Sequence, residues 1–278
     1  MRRIRHLRQS DLSALVELSQ QAGWNQTAAD WERTLSLAPE GSFGIEANGR
    51  VVSSATAICY GDELAWIGMV LTHKDHRGKG NAKALVDHAL KYLKQRGIGW
   101  AKLDATDQGR PIYARLGFAD EHDVERWRRP GVTGTGGNQA SHRVSRYVVD
   151  PSFDRAYFGA YRVPLLNALL RAGDTYYRTG FGYAMTRPGA LATYFGPCVV
   201  RTRDAARMLI ETFLAGHGPE EIVWDLFPGN SDAVQLAIDF GFQPVRHLTR
   251  MTMAVTPGRT PLLRNNSSVY AIAGFEYG

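Results

Sequence analysis

Apolar residues change their spacing repeatedly along this chain, and each change marks an element. Ile4 to Leu7 reads as a first strand. Leu12, Leu15, Val16 and Leu18 then recur at helical spacing, with Ser10 as the N-cap of a helix running through Ser19. A second helix spans about Thr27 to Ala38 and stops at Pro39 and Gly41. Strand-like runs follow at Ser42 to Glu46 and Val51 to Cys59, and the Asn48-Gly49 pair between them predicts a tight hairpin. After a turn at Gly61-Asp62, Leu64 to Leu71 forms another strand. A helix from about Gly78 to Arg96 closes at Gly97, which can adopt a left-handed C-terminal cap. Trp100 to Ala105 reads as a strand, Gln108 to Arg115 as a short helix, and Phe118 onward as a strand.

The resulting order is β, α, α, β, β, β, α, β, α, β. Residues 130–142, PGVTGTGGNQASH, are rich in Gly, Thr and Ser with little apolar content, which reads as a mobile loop or linker before strand-like Val144 to Val149. A helix from Asp154 to Arg171 follows, capped by Ser152 or Asp154. Strands are expected at Tyr176 to Met185 and Ala190 to Val200, then a helix from Asp204 to Ala215 and a strand from Ile222 to Phe227. Ser231 to Phe240 reads as a helix, with Phe242 to Ala254 and Val269 to Tyr277 as the last strands. From its third strand onward the second half repeats the first. Leu103-Asp104 corresponds to Trp224-Asp225, Gly117-Phe118 to Gly241-Phe242, and Ile67 to Val70 to Phe195 to Cys198. Order and spacing persist where identity does not, as expected of an internal duplication.

Composition narrows the class. At 278 residues, 44% hydrophobic and 22% charged, the chain suits a globular protein of one large domain or two ordinary ones. Its 33 basic and 27 acidic residues leave a formal charge of +6, compatible with nucleic acid, an anionic surface or a polyanionic small molecule. Cys59 and Cys198 sit in separate apolar runs, which fits a reducing compartment better than a disulfide scaffold. No window reaches the ~20 apolar residues that span a bilayer. The Arg-rich start lacks the apolar core of a secretory signal. A cytoplasmic location and no membrane partner are expected.

The most informative stretch runs from Val70-Leu71-Thr72 through Arg77-Gly78-Lys79-Gly80-Asn81-Ala82. A strand enters a loop that opens a helix with the pattern Arg-x-x-Gly-x-Ala. The first turn of a helix carries N–H groups without intrahelical partners and the positive end of the macrodipole. Small residues at Gly78, Gly80 and Ala82 let a phosphate reach those amides, and Arg77 and Lys79 add charge, so the loop can cradle a pyrophosphate. No Gly-Lys-Ser/Thr ends the motif and it is not G-x-G-x-x-G, so other phosphate signatures fit worse.

This pattern resembles the GNAT acyltransferase superfamily, whose hallmark is Arg/Gln-x-x-Gly-x-Gly/Ala after the fourth strand. Tyr113 lies four residues before Gly117, where the family places a tyrosine facing the thioester sulfur. The start, Ile4-Arg5-x-Leu-Arg-x-Ser-Asp-Leu, also looks like the family's first strand and helix. The resemblance implies an α/β fold class, an α+β mixed sheet, in tandem GNAT folds, with acetyl-CoA as co-substrate and no metal. It implies further that the fourth and fifth strands splay apart around the pantetheine arm. Val70, Leu71 and Thr72 would then offer backbone groups to that arm, and Arg77, Gly78, Lys79, Gly80, Asn81 and Ala82 would hold the pyrophosphate. Asp107, Gly109 and Tyr113 would line the far wall, with Tyr113 protonating the departing thiolate and a backbone N–H near Leu71 stabilising the oxyanion. Thr106-Asp107-Gln108-Gly109 departs from the asparagine many members carry there. Glu63 and Asp104 are the carboxylates considered as general base, each equally readable as a strand-end charge.

These readings divide the chain into a catalytic domain at 1–130, a linker at 131–147 and a degenerate GNAT-like domain at 148–278. The second copy keeps Asn230-x-x-Ala233-x-x-Leu236 and Gly241-Phe242, but Ala237 replaces the tyrosine and no glycine opens its helix after Val199-Val200-Arg201-Thr202-Arg203-Asp204. It is expected to bind no cofactor, and its aromatics Tyr157, Phe158, Tyr161, Tyr176, Tyr177, Phe181 and Tyr183 could line an acceptor pocket or simply be core. The expected function is acetyl transfer to an amine of a small-molecule acceptor. The alternative is a non-catalytic acyl-CoA-binding sensor. Nucleic-acid binding has only Arg126-Trp127-Arg128-Arg129 in its support and is not expected; oligomeric state stays open.

Overall fold

A computed structural model describes residues 3–132, 150–171, 182–260, 262 and 266–278, together with the backbone of 176–179. Two compact units emerge. The first comprises Met1–Glu121 with Arg250–Pro261 and Tyr277, and the second comprises His122–Thr249 with Leu262–Glu276 and Gly278. The linear split at 148 therefore misses a return: residues 250–261 and Tyr277 belong to the first unit. Hydrogen bonding explains it, since the Val255 N–H donates to the Gly99 carbonyl at 2.9 Å, and Met251 and Val255 join the first unit's core. Of the expected linker, only residues 131 and 132 are described; the strand expected at Val144 to Val149 lies outside the described residues.

The first unit contains β1 (Ile4–His6), α1 (Leu12–Gln21), α2 (Ala28–Leu37), β2 (Ser42–Ala47), β3 (Arg50–Tyr60), β4 (Leu64–Thr72), α3 (Asn81–Gln95), β5 (Trp100–Ala105), α4 (Arg110–Ala114) and the start of β6 (Ala119–Arg129). Its strands lie in the order β1-β2-β3-β4-β5, followed by the end of β11 (Gln243–Ala254). β1 to β4 pair antiparallel and β4 pairs β5 parallel, giving the mixed sheet expected. Local chemistry sets the boundaries. Thr27 and Asp30 form a reciprocal capping box at α2. Asn48 at φ 52 and Gly49 at φ 76 make the hairpin turn, and Gly97 at φ 71 ends α3. Ser10 does not cap α1: the Asp11 carboxylate accepts the Arg8 N–H at 2.8 Å, winding a 3₁₀ turn over Gln9–Asp11 first. One sheet face is covered by α3 through Leu85, Val86, Ala89 and Leu93; the other by α1 and α2, through Leu15, Leu18, Trp31 and Leu35 packed with Val51, Met69 and Leu71.

The second unit contains the rest of β6, α5 (Pro151–Phe158), α6 (Val163–Arg171), β7 (Tyr176–Thr179), β8 (Gly182–Arg187), β9 (Thr193–Val200), α7 (Arg203–His217), β10 (Ile222–Leu226), α8 (Ser231–Asp239), the first part of β11 and β12 (Val269–Ala271). The single helix expected over Asp154 to Arg171 is broken at Gly159, φ 91, and starts at a cap formed by Asp150, whose side chain accepts the Ser152 N–H. Asp154 is drawn instead into a buried two-point contact with Arg162. Strands β6, β10, β9, β8 and β7 neighbour one another in that order, and β12 pairs with β9. The last run keeps strand geometry only from Val269 to Ala271.

Candidate functional site

The first unit's parallel pair opens into a fork. β4 and β5 are in register only at Leu64↔Trp100, Ala65↔Ala101 and Trp66↔Lys102. Beyond that rung the two strands part, leaving Ile67–Thr72 on one side and Leu103–Ala105 on the other. A bulge in β4 accompanies the parting. Ser54 pairs Leu71 and Thr56 pairs Gly68, so β4 carries one extra residue, and Met69 takes φ 50. The extra residue flips the side chains that follow. Ala65 and Ile67 belong to the core under α3, and past the bulge Val70 packs there while Met69 and Leu71 turn to α1 and α2. The Met69 and Leu71 carbonyls accept hydroxyls of Ser54 (2.8 Å) and Ser53 (2.7 Å) on the β3 side. Strand alternation then turns the peptide groups of Val70 and Thr72 toward the fork. The Leu71 carbonyl is therefore committed to β3, unlike those of its two neighbours.

The fork leads into the mouth of α3. Gly78 (φ 72) and Gly80 (φ 73) are both left-handed, Gly80 occupies the N-cap position, and no side chain caps the helix. The helix begins at Asn81, three residues later than its sequence pattern suggests, because two left-handed glycines cannot continue it. The Arg77 Nε donates to the Thr72 carbonyl at 3.2 Å, and its exposed guanidinium pairs with no carboxylate among the described residues. Lys79 Nζ reaches the Asp75 carbonyl at 3.0 Å, and buried Asn81 braces the loop through the His76 carbonyl at 3.2 Å. Ala82 stands in the first turn, half-buried. Open first-turn amides, two glycines without side chains and an uncommitted guanidinium fit a diphosphate. Arg77 to Ala82 come together around one helix mouth.

Across the fork, Gly109 and Tyr113 are brought together. A Cβ on Gly109 would stand 2.9 Å from the Tyr113 ring, and the Tyr113 N–H donates to the Gly109 carbonyl at 3.1 Å. Tyr113 is 9% exposed and packs edge-on to Phe118, and no hydrogen-bond partner reaches its hydroxyl among the described residues. Burial pushes its pKa from 10.0 up to about 12. Asp107 is exposed and lines a separate hollow of about 440 Å³ with Arg110, Pro111, Ala114, Phe118 and Met251, which Tyr113 does not line.

Neither carboxylate considered as a base is placed to serve. Glu63 stands just before β4, nine positions ahead of Thr72, about 30 Å at ~3.3 Å per step. The Asp104 side chain is covered and held at both oxygens by Arg250, at 2.8 and 2.9 Å. Sequence reasoning missed Arg250; the available signals were the correspondence of Asp104 with Asp225 and of Arg126 with Arg250, each eight residues past its Gly-Phe pair. Burial pushes the Cys59 and Cys198 thiols up, away from the reactive thiolate. Among the described residues no group of His, Cys, Asp and Glu could hold a metal ion, and no helix is long and apolar enough to cross a membrane.

The second unit has the same fork, filled by its own chain. β9 and β10 pair at Thr193↔Ile222, Tyr194↔Val223 and Phe195↔Trp224 and then part. β12 lies along β9 there, with Val269 opposite Val199 and Ala271 opposite Cys198, while the Ile272 N–H donates to the Asp225 carbonyl at 2.9 Å. A Cβ on Gly196 would be 2.2 Å from the Ile272 carbonyl oxygen. Asn230, the N-cap of α8, has its amide bonded to the carbonyls of Asn266, Ser267 and Val269. The first turn of α7 is closed by Thr202, whose hydroxyl accepts the Ala205 N–H. Of the aromatics named above, Tyr183 is buried against Asp154, Phe158 lies 4.0 Å under the Arg162 guanidinium and Tyr161 is exposed. The side chains of Tyr176, Tyr177 and Phe181 lie outside the described residues. The Arg126–Arg129 run is part of β6, with Arg126 buried on Asp225 and Arg128 paired with Glu221.

Comparison with known proteins agrees with this doubling. The family model described as Acetyltransferase (GNAT) family matches residues 2–118, and a second, Acetyltransferase (GNAT) domain, matches 151–271. The chain belongs to the GNAT acetyltransferase family, as a tandem of two GNAT domains. It is similar throughout to a putative acetyltransferase from Pyrococcus horikoshii, with TM-score 0.85 and 20% identity over 100% of this chain and 96% of the other. A tandem GNAT protein from the clavulanic acid biosynthesis pathway superposes with TM-score 0.64 and 17% identity over 93% and 100% of the two chains. In sequence it is 28% identical over 103 residues to a holothin acyltransferase of a Pseudoalteromonas species, covering 37% of this chain and 34% of that protein. It is 30% identical over 99 residues to an uncharacterized N-acetyltransferase of Methanocaldococcus jannaschii, covering 32% and 44%. The chain thus matches less than half the length of either curated relative.

Proposed function

We propose that the protein transfers an acetyl group from acetyl-CoA to an amine of a small-molecule acceptor, by direct attack while both are bound. The observation that carries this reading is the parting of β4 and β5 beyond the Trp66↔Lys102 rung, aligned with a glycine-opened helix mouth. An extended arm bearing amides suits such a fork, and a diphosphate suits such a mouth. In this reading acetyl-CoA supplies the activated acyl group. The first turn of α3 and Arg77 hold its diphosphate, and the peptide groups of Val70 and Thr72 align the arm. A fork N–H near the bulge stabilises the developing oxyanion. Tyr113 donates a hydrogen bond toward the sulfur from the far wall. With Asp104 clamped and Glu63 remote, the amine loses its proton through water, and holding the two reactants together contributes most of the acceleration.

The test is calorimetric titration of the full chain with coenzyme A, followed by acetyl-CoA with a panel of small amines, scoring free thiol and acetylated product. Wild type is expected to bind, and Arg77→Glu to weaken binding at least tenfold with an unchanged melting temperature, since Arg77 is exposed and makes one backbone contact. Binding with no turnover across a broad panel would favour a sensor instead. Absence of binding would refute both.

A further inference from the structure

We propose that Arg250, Asp104 and Trp66 form a pin that sets where β4 and β5 part, making Arg250 a positioning residue for the extended arm of a bound acyl-CoA; this rests on the cofactor reading above. Trp66 and Lys102 are the last paired residues before the fork. Two residues past Lys102, the buried carboxylate of Asp104 accepts both Nε and Nη2 of Arg250. The same guanidinium lies 4.4 Å from the centre of the Trp66 ring. One cation therefore joins the aromatic of one strand to the carboxylate of the other at the point of divergence. β5 cannot slide toward β4 to close the fork without breaking a bidentate contact between two buried side chains.

The second unit repeats the arrangement with the corresponding residues of the duplication. Val223 of β10 pairs Tyr194 of β9, as Lys102 pairs Trp66. Two residues past Val223, Asp225 accepts Nε and Nη2 of Arg126, both at 2.7 Å, and that guanidinium lies 5.2 Å from the Tyr194 ring. Pairing there runs one rung further, to Phe195 and Trp224, and the fork holds β12. Arg126 and Arg250 each stand eight residues past the phenylalanine of the repeated Gly-Phe pair, Phe118 and Phe242, and Trp66 and Asp104 correspond to Tyr194 and Asp225, so the pin repeats in aligned sequence as well as in geometry. The pin brackets an extended segment where one is present. A buried ion pair often adds no more stability than an apolar packing of the same shape, so here the two-point contact is assigned a positional role.

Full-length protein would be titrated with coenzyme A and with 3′-phospho-ADP, the same molecule lacking the pantetheine arm. The apolar replacement Asp104→Leu with Arg250→Met, which removes both charges of the pair, is expected to weaken coenzyme A at least tenfold and 3′-phospho-ADP less than twofold. Arg250→Lys keeps the charge but loses the fork-shaped contact, and it should fall between; it also serves if the double variant does not fold. Coenzyme A affinity within twofold of wild type, or equal weakening of both ligands, would overturn the proposal. If wild type binds neither ligand, the cofactor reading fails separately. Hydrogen exchange then decides the pin: Asp225→Leu with Arg126→Met must speed exchange at Val269 to Ala271, and unchanged exchange there refutes it.

Discussion

Replacing Tyr113 by phenylalanine removes one oxygen from a ring held by Gly109 and Phe118, and the structure fixes what that oxygen can do. Burial raises the phenol from 10.0 to about 12, disfavouring the anion by about 2.7 kcal/mol at 1.36 kcal/mol per unit. A thiol leaving group resembles free cysteine, with a pKa of ~8.5. Complete proton transfer from Tyr113 to the thiolate would therefore be uphill by about 4.8 kcal/mol. In the proposed reaction the hydroxyl would instead donate a hydrogen bond to charge growing on sulfur, a contribution of ~1.5–3 kcal/mol. Tyr113→Phe should accordingly lower kcat about 10- to 150-fold. Coenzyme A affinity should stay within about twofold, because the ring and its packing remain. The assay follows thiol release under saturating acetyl-CoA across pH, with kcat and KM resolved separately. Because the folded pKa is raised, the phenol keeps its proton until the pH nears 12, so wild-type kcat should show no falling limb from Tyr113 at pH 8–10. A kcat within twofold of wild type, or a limb in that window that vanishes in the variant, refutes the reasoning.

Gly109→Ala places a methyl 2.9 Å from the Tyr113 ring and should displace it, costing about 1–3 kcal/mol of stability. It should lower kcat with little added loss in the Tyr113→Phe background; additive losses would disprove the link. Asp11 holds Arg5 at two points, 2.7 and 2.8 Å, and Arg5 keeps its carboxyl below the usual 3.8. That stabilisation is present above the unfolded carboxylate pKa and disappears as pH falls through the lower folded value. Asp11→Asn should cost about 1–3 kcal/mol in urea unfolding at pH 7, and the gap from wild type should shrink below pH 4; a constant gap would show that the ion pair is not its source.

Much of the fold was legible because local chemistry and tertiary demand agree. The Asn48-Gly49 hairpin, the Thr27 box and the Gly97 cap each use a residue suited to one conformation. The helix mouth was legible too, since Gly78 and Gly80 have few other reasons to stand together before α3. The bulge was not, because Met69 gives no sign of a left-handed backbone and adopts it only under the pairing of β4 with β3. The helix over Asp154 to Arg171 looked continuous because its apolar spacing barely changes across Gly159, while the Asp154–Arg162 contact favours the break. The clamp on Asp104 and the return of residues 250–261 to the first unit rest on contacts between residues 146 and 158 positions apart, where no local pattern reaches.

β12 changes what the second unit asks of its surroundings. A fork that awaits a metabolite gains stability only as that metabolite becomes abundant, by mass action. A fork threaded by its own polypeptide is satisfied from the moment the chain finishes folding, at any level of metabolite. Freed from that dependence, the second unit keeps a closely packed core with Thr202, and no pair of glycines, opening α7.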